Sequence, residues 1–296
     1  MICEGLAYLN FCYLPLDTSL LKHIKEEEEE SNNKNDTHGP STERTPIDSL
    51  IRVAKTWDSE QLKETWIERV KSKYDETFHP ELVPAGFQWH LSKILNEPHP
   101  IATELPSWIK EIPSSDELWK SMYQAMVYLY LSMRTPALVQ NDDSKEQEYN
   151  GGFVLLHLMT SLWGLEHIVK SLKRRDGSDI SDEIDRTAIG IYYANMIILT
   201  ATSVAGFPSV SALQKTREEF PLTIAETDTD TDTDDNFNWD KIVERALKEE
   251  EEHNIKLVYI MKELWKRYDH WSGFYEAARS FTVTPNIGPK STKTDA

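Results

Sequence analysis

Wherever apolar and polar residues alternate with a pattern along this chain, the period is that of a helix. Pro46 followed by IDSLIRVAKTW places Ile47, Leu50, Ile51 and Ala54 three and four residues apart, on one helical face. The next stretch, DSEQLKETWIERVKSKYDETF, opens on an Asp/Ser cap and repeats Leu62, Trp66 and Val70. HPELVP then breaks the chain before AGFQWHLSKILNE, and Pro98, Pro100, Pro106 and Pro113 punctuate a connecting region. Ser115-Asp116-Glu117 starts LWKSMYQAMVYLYLSM, a helix apolar enough to be central. The following helix, GGFVLLHLMTSLWGLEHIVKSLK, is apolar almost all round over its first three turns, which predicts burial on several sides. Ile184 to Ala205 and Trp239 to about Arg279 read as two more helices. No alternation of strand length appears, and the pattern predicts an all-α, bundle-like globular domain with long acidic and polar loops.

Three tracts fall outside the helical pattern. Glu26 to Glu30 runs into SNNKNDTHGPSTERTP, Asn141 to Gly152 reads NDDSKEQEYNGG, and Thr227 to Asp235 reads TDTDTDTDD. The Thr-Asp alternation has no apolar member to bury, so neither strand nor helix is stable there. It also lacks the glycine and spaced terminal glutamate of a calcium loop. The expected layout is one helical domain over residues 1–280, with disordered insertions at 26–45, 141–150 and 226–237 and a disordered tail at 281–296.

Composition narrows the partners. Fifty acidic against 32 basic side chains give a net charge of -18, which repels phosphate backbones and anionic headgroups. Nucleic acid is not an expected partner. Lys173-Arg174-Arg175 is a compact basic group, and its place after an apolar helix suits the helix dipole. Ala188 to Ala205 carries no formal charge and approaches the length of a membrane span. Its Asn195, Thr200, Thr202 and Ser203, with Gly206-Phe207-Pro208 as a stop, fit a buried bundle helix instead, and no stable membrane insertion is expected. Cys3 and Cys12 stand about 13 Å apart along one apolar helix, too far for a disulfide. With no secretory pattern at the start of the sequence, a cytoplasmic location is the default expectation.

Two histidines stand out as candidate chemistry. His157, in FVLLHLMTS, has neighbours so apolar that its ring needs a hydrogen-bond partner or loses stability. His253 closes a run of glutamates, yet it keeps step with Trp239, Val243, Ala246, Leu257, Ile260 and Leu264. Glu249 and Glu250, four and three residues earlier, can hold one ring nitrogen and turn the other inward. Against a catalytic role stand the ordinary ones, a core histidine satisfied by a carbonyl and a surface ion-pair histidine. His167 reads as a surface residue and His90 as part of a core stripe. Glu76-Thr-Phe-His79 and Glu250-Glu-Glu-His253 are the two Glu-x-x-His sequences that a di-metal bundle site requires, but His79 precedes Pro80, a position biased away from helix. No metal is therefore expected. No nucleophile elbow, C-x-x-C pair, Walker loop or H-E-x-x-H occurs, and no G-x-G-x-x-G follows a strand.

The motifs EGLAYLNFCY at Glu4–Tyr13, GGFVLLHLMTSLWGL at Gly151–Leu165, GFP at Gly206–Pro208 and WDKIVERALKEEEEHNIKL at Trp239–Leu257 resemble, in order and separation, the questin oxidase-like proteins. These include Baeyer-Villiger-type oxidases of fungal aromatic polyketide and aflatoxin pathways. The resemblance covers most of this chain but only the later part of the family's usual length, because the helices and the His-Pro-x-x-His-x-Gly type motif that precede EGLAYLNFCY in the family have no counterpart here. The chain then reads as a fragment or as a divergent member. What the resemblance implies is oxygen insertion beside a carbonyl of an anthraquinone-type substrate, with NADPH as cofactor. On that reading His157 and His253 are catalytic, and Thr160, Ser161, Trp163 and Tyr192 contact the substrate, a small aromatic polyketide. A non-catalytic helical protein that binds a ligand or partner, and a di-metal oxygen-activating protein, are the alternatives.

Overall fold

The structure is a computed structural model of the whole chain, and it describes residues 45–57, 106–133, 152–176, 181–202, 207–222, 237–248 and 252–280. Among the described residues it contains nine helices and no strand, so the all-α reading holds. In chain order they are α1 (Pro46–Trp57), α2 (Ser107–Glu111), α3 (Ser115–Ser132), α4 (Gly152–Asp176), α5 (Ser181–Thr202), α6 (Val210–Glu219), α7 (Trp239–Lys248), α8 (Glu252–Arg267) and α9 (Ser272–Arg279). Residues 26–44, 141–151 and 223–236, which make up nearly all of the three polar tracts, lie outside the described residues, as do the segments around EGLAYLNFCY and His79 and the tail. No helix among those described is long and apolar enough to cross a membrane.

The helices form two compact units. The first contains α1, α2, the start of α3 up to Leu118, and α5. Thr45 opens α1: its hydroxyl donates to Asp48 at 2.6 Å and its carbonyl receives the Asp48 amide. The predicted stripe of Ile47, Leu50, Ile51 and Ala54 is buried, together with Val53 and Trp57. Ser49 lies inside that stripe. Its fully buried hydroxyl donates to the Pro46 carbonyl and receives both the Trp108 indole N–H, at 3.2 Å, and the Tyr193 hydroxyl, at 3.1 Å. One small side chain thus ties α1 to α2 and α5, and it satisfies two polar atoms that would otherwise be costly to bury.

Arg186 does similar work at the end of α2. Its guanidinium donates to the carbonyls of Ile109, Lys110 and Ile112, the last at 2.7 Å, which are acceptors a short helix leaves open at its C-terminus. Asp182 and Asp185, on the same helix as Arg186, receive the Ser115 hydroxyl. Arg186→Ala is expected to cost about 1–3 kcal/mol in urea unfolding, because three carbonyls lose a charged donor; Arg186→Lys recovers only part, since an ammonium cannot fork across them.

The second unit holds α3 from Trp119 onward, α4, α6 from Ser211, α7, α8 and α9. Helix α3 is its centre, as the sequence predicts: Met122, Tyr123, Ala125, Met126, Val127, Tyr128 and Leu129 are all fully buried. Polar tips on α3 find partners within the unit, Tyr128 donating to the Phe220 carbonyl at 2.6 Å and Ser132 to the Thr216 hydroxyl at 2.8 Å.

The long helix expected from Trp239 to about Arg279 is three helices. Along one straight helix Trp239 and Trp265 would stand about 39 Å apart, whereas their ring centroids are 5.6 Å apart. Helices α7 and α8 therefore fold back on each other, with residues 249–251 between them. Both arms bury an apolar stripe, Trp239, Ile242 and Ala246 on α7 and Leu257, Ile260 and Leu264 on α8. The two stripes share one phase in the sequence, so periodicity alone joins them. The second break comes after α8, where Asp269 and His270 adopt φ of 52° and 54°. Aspartate and histidine enter this left-handed region more readily than most residues, and Lys120 holds Asp269 at 2.9 Å. Gly273, the second residue of α9, lies close against Trp271, whose ring is 2.5 Å from where a Cβ would stand.

Candidate functional site

Helices α4 and α8 bring the two candidate histidines together. The His157 and His253 rings lie 5.2 Å apart, centroid to centroid, tilted by 53°, and both are half-buried. The pairing repeats along the helices: Trp163 of α4 meets Tyr259 of α8 edge-on at 6.4 Å, and Glu166 of α4 meets Arg267 of α8 at 2.7 Å. Because the contacts occur in the same order on both, α4 and α8 run in the same direction. Parallel neighbours need a long connection between them, here everything from Gly177 to Glu251.

Glu166 is the anchor of this arrangement and is fully buried. One carboxylate oxygen, Oε1, accepts from Arg267 Nη1 at 2.7 Å and from Lys170 Nζ at 2.6 Å, and Oε2 accepts from the Tyr123 hydroxyl at 2.7 Å. Burial pushes the Glu166 carboxyl up, but the hydrogen bonds from Lys170, Tyr123 and Arg267 outweigh it and hold the group below the usual carboxylate value. Tyr123 goes the other way. Burial, and then the negative charge of Glu166 beside it, push the phenol far above its ordinary value, so it remains a donor. Arg267 also lies over the Tyr268 ring, 4.6 Å from its centre.

Helix α4 is buried widely at its start, where Leu155, Leu156, Leu158, Met159 and Leu162 are all buried, and opens further along. Leu155, Leu158, Leu162, Glu166 and Val169 form its buried face, and the opposite face carries His157, Ser161, Gly164 and Ile168. Beyond His157 that face is open: Ser161 and Gly164 are exposed, and Ile168 is 60% exposed.

The other expected site residues divide accordingly. Thr160 is half-buried on α4, and the Ser161 hydroxyl turns back onto the carbonyl of His157. Trp163 is half-buried between Tyr123, at 6.5 Å, and Tyr259. Tyr192 is buried on α5 and belongs to the first unit, while the other five belong to the second. His167 is exposed, with Nδ1 2.8 Å from the Trp163 carbonyl. Glu249 and Glu250, expected to hold His253, lie outside the described residues, as does His79. Among the described residues no three His, Cys, Asp or Glu side chains gather as a metal site would require.

Residues 1–261 of the 296 match the family described as questin oxidase-like. The chain belongs to the questin oxidase-like family. The matched span includes both histidines and all of α4, and membership in the family points to an oxidoreductase. No curated protein and no solved structure matches the chain.

Proposed function

We propose that this questin oxidase-like protein inserts oxygen between a carbonyl carbon and its neighbouring ring carbon in a polycyclic aromatic ketone of the anthraquinone type, giving a ring-expanded lactone that opens when water hydrolyses the ester. The meeting of His157 and His253 supports this most directly. Two imidazoles in contact can divide the work: one ring nitrogen accepts a proton from a phenol of the substrate while the other ring donates a hydrogen bond to the carbonyl. Tyr259, 59% exposed on α8 next to Trp163, offers an aromatic ring suited to a flat ring system. In the overall reaction one atom of dioxygen enters the ring, and the other leaves as water with two electrons and protons from the reductant.

NADPH is the reductant the family suggests. The described residues include neither a strand nor a glycine-rich loop leading into a helix, and so do not form a dinucleotide cradle. NADPH belongs in the assay as a co-substrate.

The test is incubation of an anthraquinone with the purified full chain, NADPH and isotopically labelled dioxygen. One labelled oxygen atom per ring-opened product is expected. Binding of the anthraquinone with no product under any of these conditions would instead establish a non-catalytic ligand-binding protein, a reading favoured by the exposed Ile168, Leu172 and Tyr259.

A further inference from the structure

Trp163 is the hub of a line of oxidisable rings. On one side its indole meets the Tyr259 ring at 6.4 Å, and Tyr259 is 59% exposed. On the other it meets the Tyr123 ring at 6.5 Å, and Tyr123 meets Tyr268 at 6.3 Å. Tyr123 and Tyr268 are buried, so the line leads from solvent into the core of the second unit. The ring after Tyr268 is Phe274, at 6.4 Å, which has no hydroxyl or ring nitrogen to ease the loss of an electron. Phe237, Trp239, Trp265 and Tyr275 pack on one another as a group of their own. Trp163 and Tyr259 each follow one member of the imidazole pair by six residues, about 9 Å along their helices.

Packing explains rings in contact, but it does not explain the partner of the Tyr123 hydroxyl. A buried tyrosine gives up an electron readily only when its proton can leave with it. Tyr128 donates to a neutral carbonyl, which is no base. Tyr123 donates instead to Oε2 of Glu166, an ionised carboxylate, at 2.7 Å. A phenol that has lost an electron is a far stronger acid than any carboxylic acid, so even a carboxylate that already holds Lys170 and Arg267 accepts its proton. Tyr268 is placed the other way: the Arg267 guanidinium lies 4.6 Å from the centre of its ring, and a cation there opposes oxidation. An oxidising equivalent that enters the line therefore settles at Tyr123.

We propose that Tyr259, Trp163 and Tyr123 form an electron relay that drains a one-electron oxidant away from the imidazole pair. The oxidant is a peroxyl radical, the class of species that a failed reaction with dioxygen leaves behind. It takes one electron from Trp163 and, with a proton from water, becomes a hydroperoxide. Tyr123 then passes an electron to the oxidised indole and its proton to Glu166, and is left as a neutral phenoxyl radical. A thiolate at the surface returns one electron through Tyr259 and Trp163 and becomes a thiyl radical, while Glu166 hands the proton back. The relay needs neither an anthraquinone nor NADPH, so its test is separate from that of the ring-opening reaction.

The experiment is illumination of the full chain with a ruthenium polypyridyl photosensitiser and a sacrificial electron acceptor, which together supply the one-electron oxidant, followed by freezing and electron paramagnetic resonance. The wild type is expected to give a persistent neutral tyrosyl signal, because a buried phenoxyl cannot couple with another as an exposed one does. Tyr123→Phe and Trp163→Phe are each expected to lose that signal, with circular dichroism confirming that both are folded. Tyr128→Phe, a change at a buried tyrosine outside the line, is expected to keep it. Tyr259→Phe, a change at the surface, is expected to slow the decay of the signal on addition of a thiol several-fold. A wild type without a persistent tyrosyl signal, a signal that survives Tyr123→Phe or Trp163→Phe, equal loss in Tyr128→Phe, or an unchanged decay in Tyr259→Phe would overturn the relay.

Discussion

Glu166→Ala is expected to destabilise the second unit by about 2–4 kcal/mol, a large share of the stability of an ordinary domain. The substitution leaves the Tyr123 hydroxyl buried with its acceptor gone, and it removes the partner shared by Arg267 and Lys170. Removing one member of a fully buried pair costs more than this. Arg267 and Lys170, however, are 26% and 40% exposed and recover water, which lowers the figure. Tyr123→Phe leaves the charges paired and is expected to cost only about 1 kcal/mol. Urea unfolding of the three proteins checks the order.

The same site sets a dependence on pH. Since the Glu166 carboxyl is held below its ordinary value of 4.5, its contribution to stability is complete above that value and is lost as pH falls through the lower value of the folded state. The stability difference between wild type and Glu166→Gln is therefore expected to be flat near neutrality and to shrink on acidification below about 4.5. A difference that grows in acid would contradict the hydrogen-bonded, ionised carboxylate.

Much of this architecture is legible in the chain. The stripe of α1 and the apolar run of α3 follow helical spacing, and both bury what that spacing says they bury. The break at Asp269-His270 does not show, because no glycine or proline marks it. The fold-back between α7 and α8 is hidden differently: both stripes fall in one phase across the glutamate run, so a periodic reading passes through the turn. The phase nevertheless aimed His253 correctly, as it lies at the edge of the buried stripe of α8 by virtue of that helix alone.

Glu166 shows what a residue-by-residue reading passes over. A glutamate beside His167 suggests solvent, yet Glu166 keeps step with Leu155, Leu158 and Leu162, and a carboxylate in a core stripe with a lysine four residues on is the signal the sequence carries. Its partners Tyr123 and Arg267 are 43 and 101 residues away in sequence, and only the packing of α3 and α8 against α4 reveals them. The open face of α4 was similarly invisible, since glycine, serine and histidine between leucines resemble a core helix when neighbours are unknown.

The second large effect concerns the imidazole pair. His157→Ala and His253→Ala are each expected to lower kcat for anthraquinone oxidation by about 10²- to 10⁴-fold, the range for losing a proton-transfer group. Each is expected to leave the protein folded, because both rings are half-buried and lie away from the Glu166 anchor. If the two rings act as one device, removing the second after the first costs little more, as happens for catalytic residues that function together.

The most direct measurement is therefore kcat for wild type, His157→Ala, His253→Ala and the double variant, with the same substrate, oxygen and NADPH. The pair predicts that the double variant is about as slow as the worse single one. Losses that multiply, or a single variant that turns over like the wild type, would contradict a joint role for the two histidines.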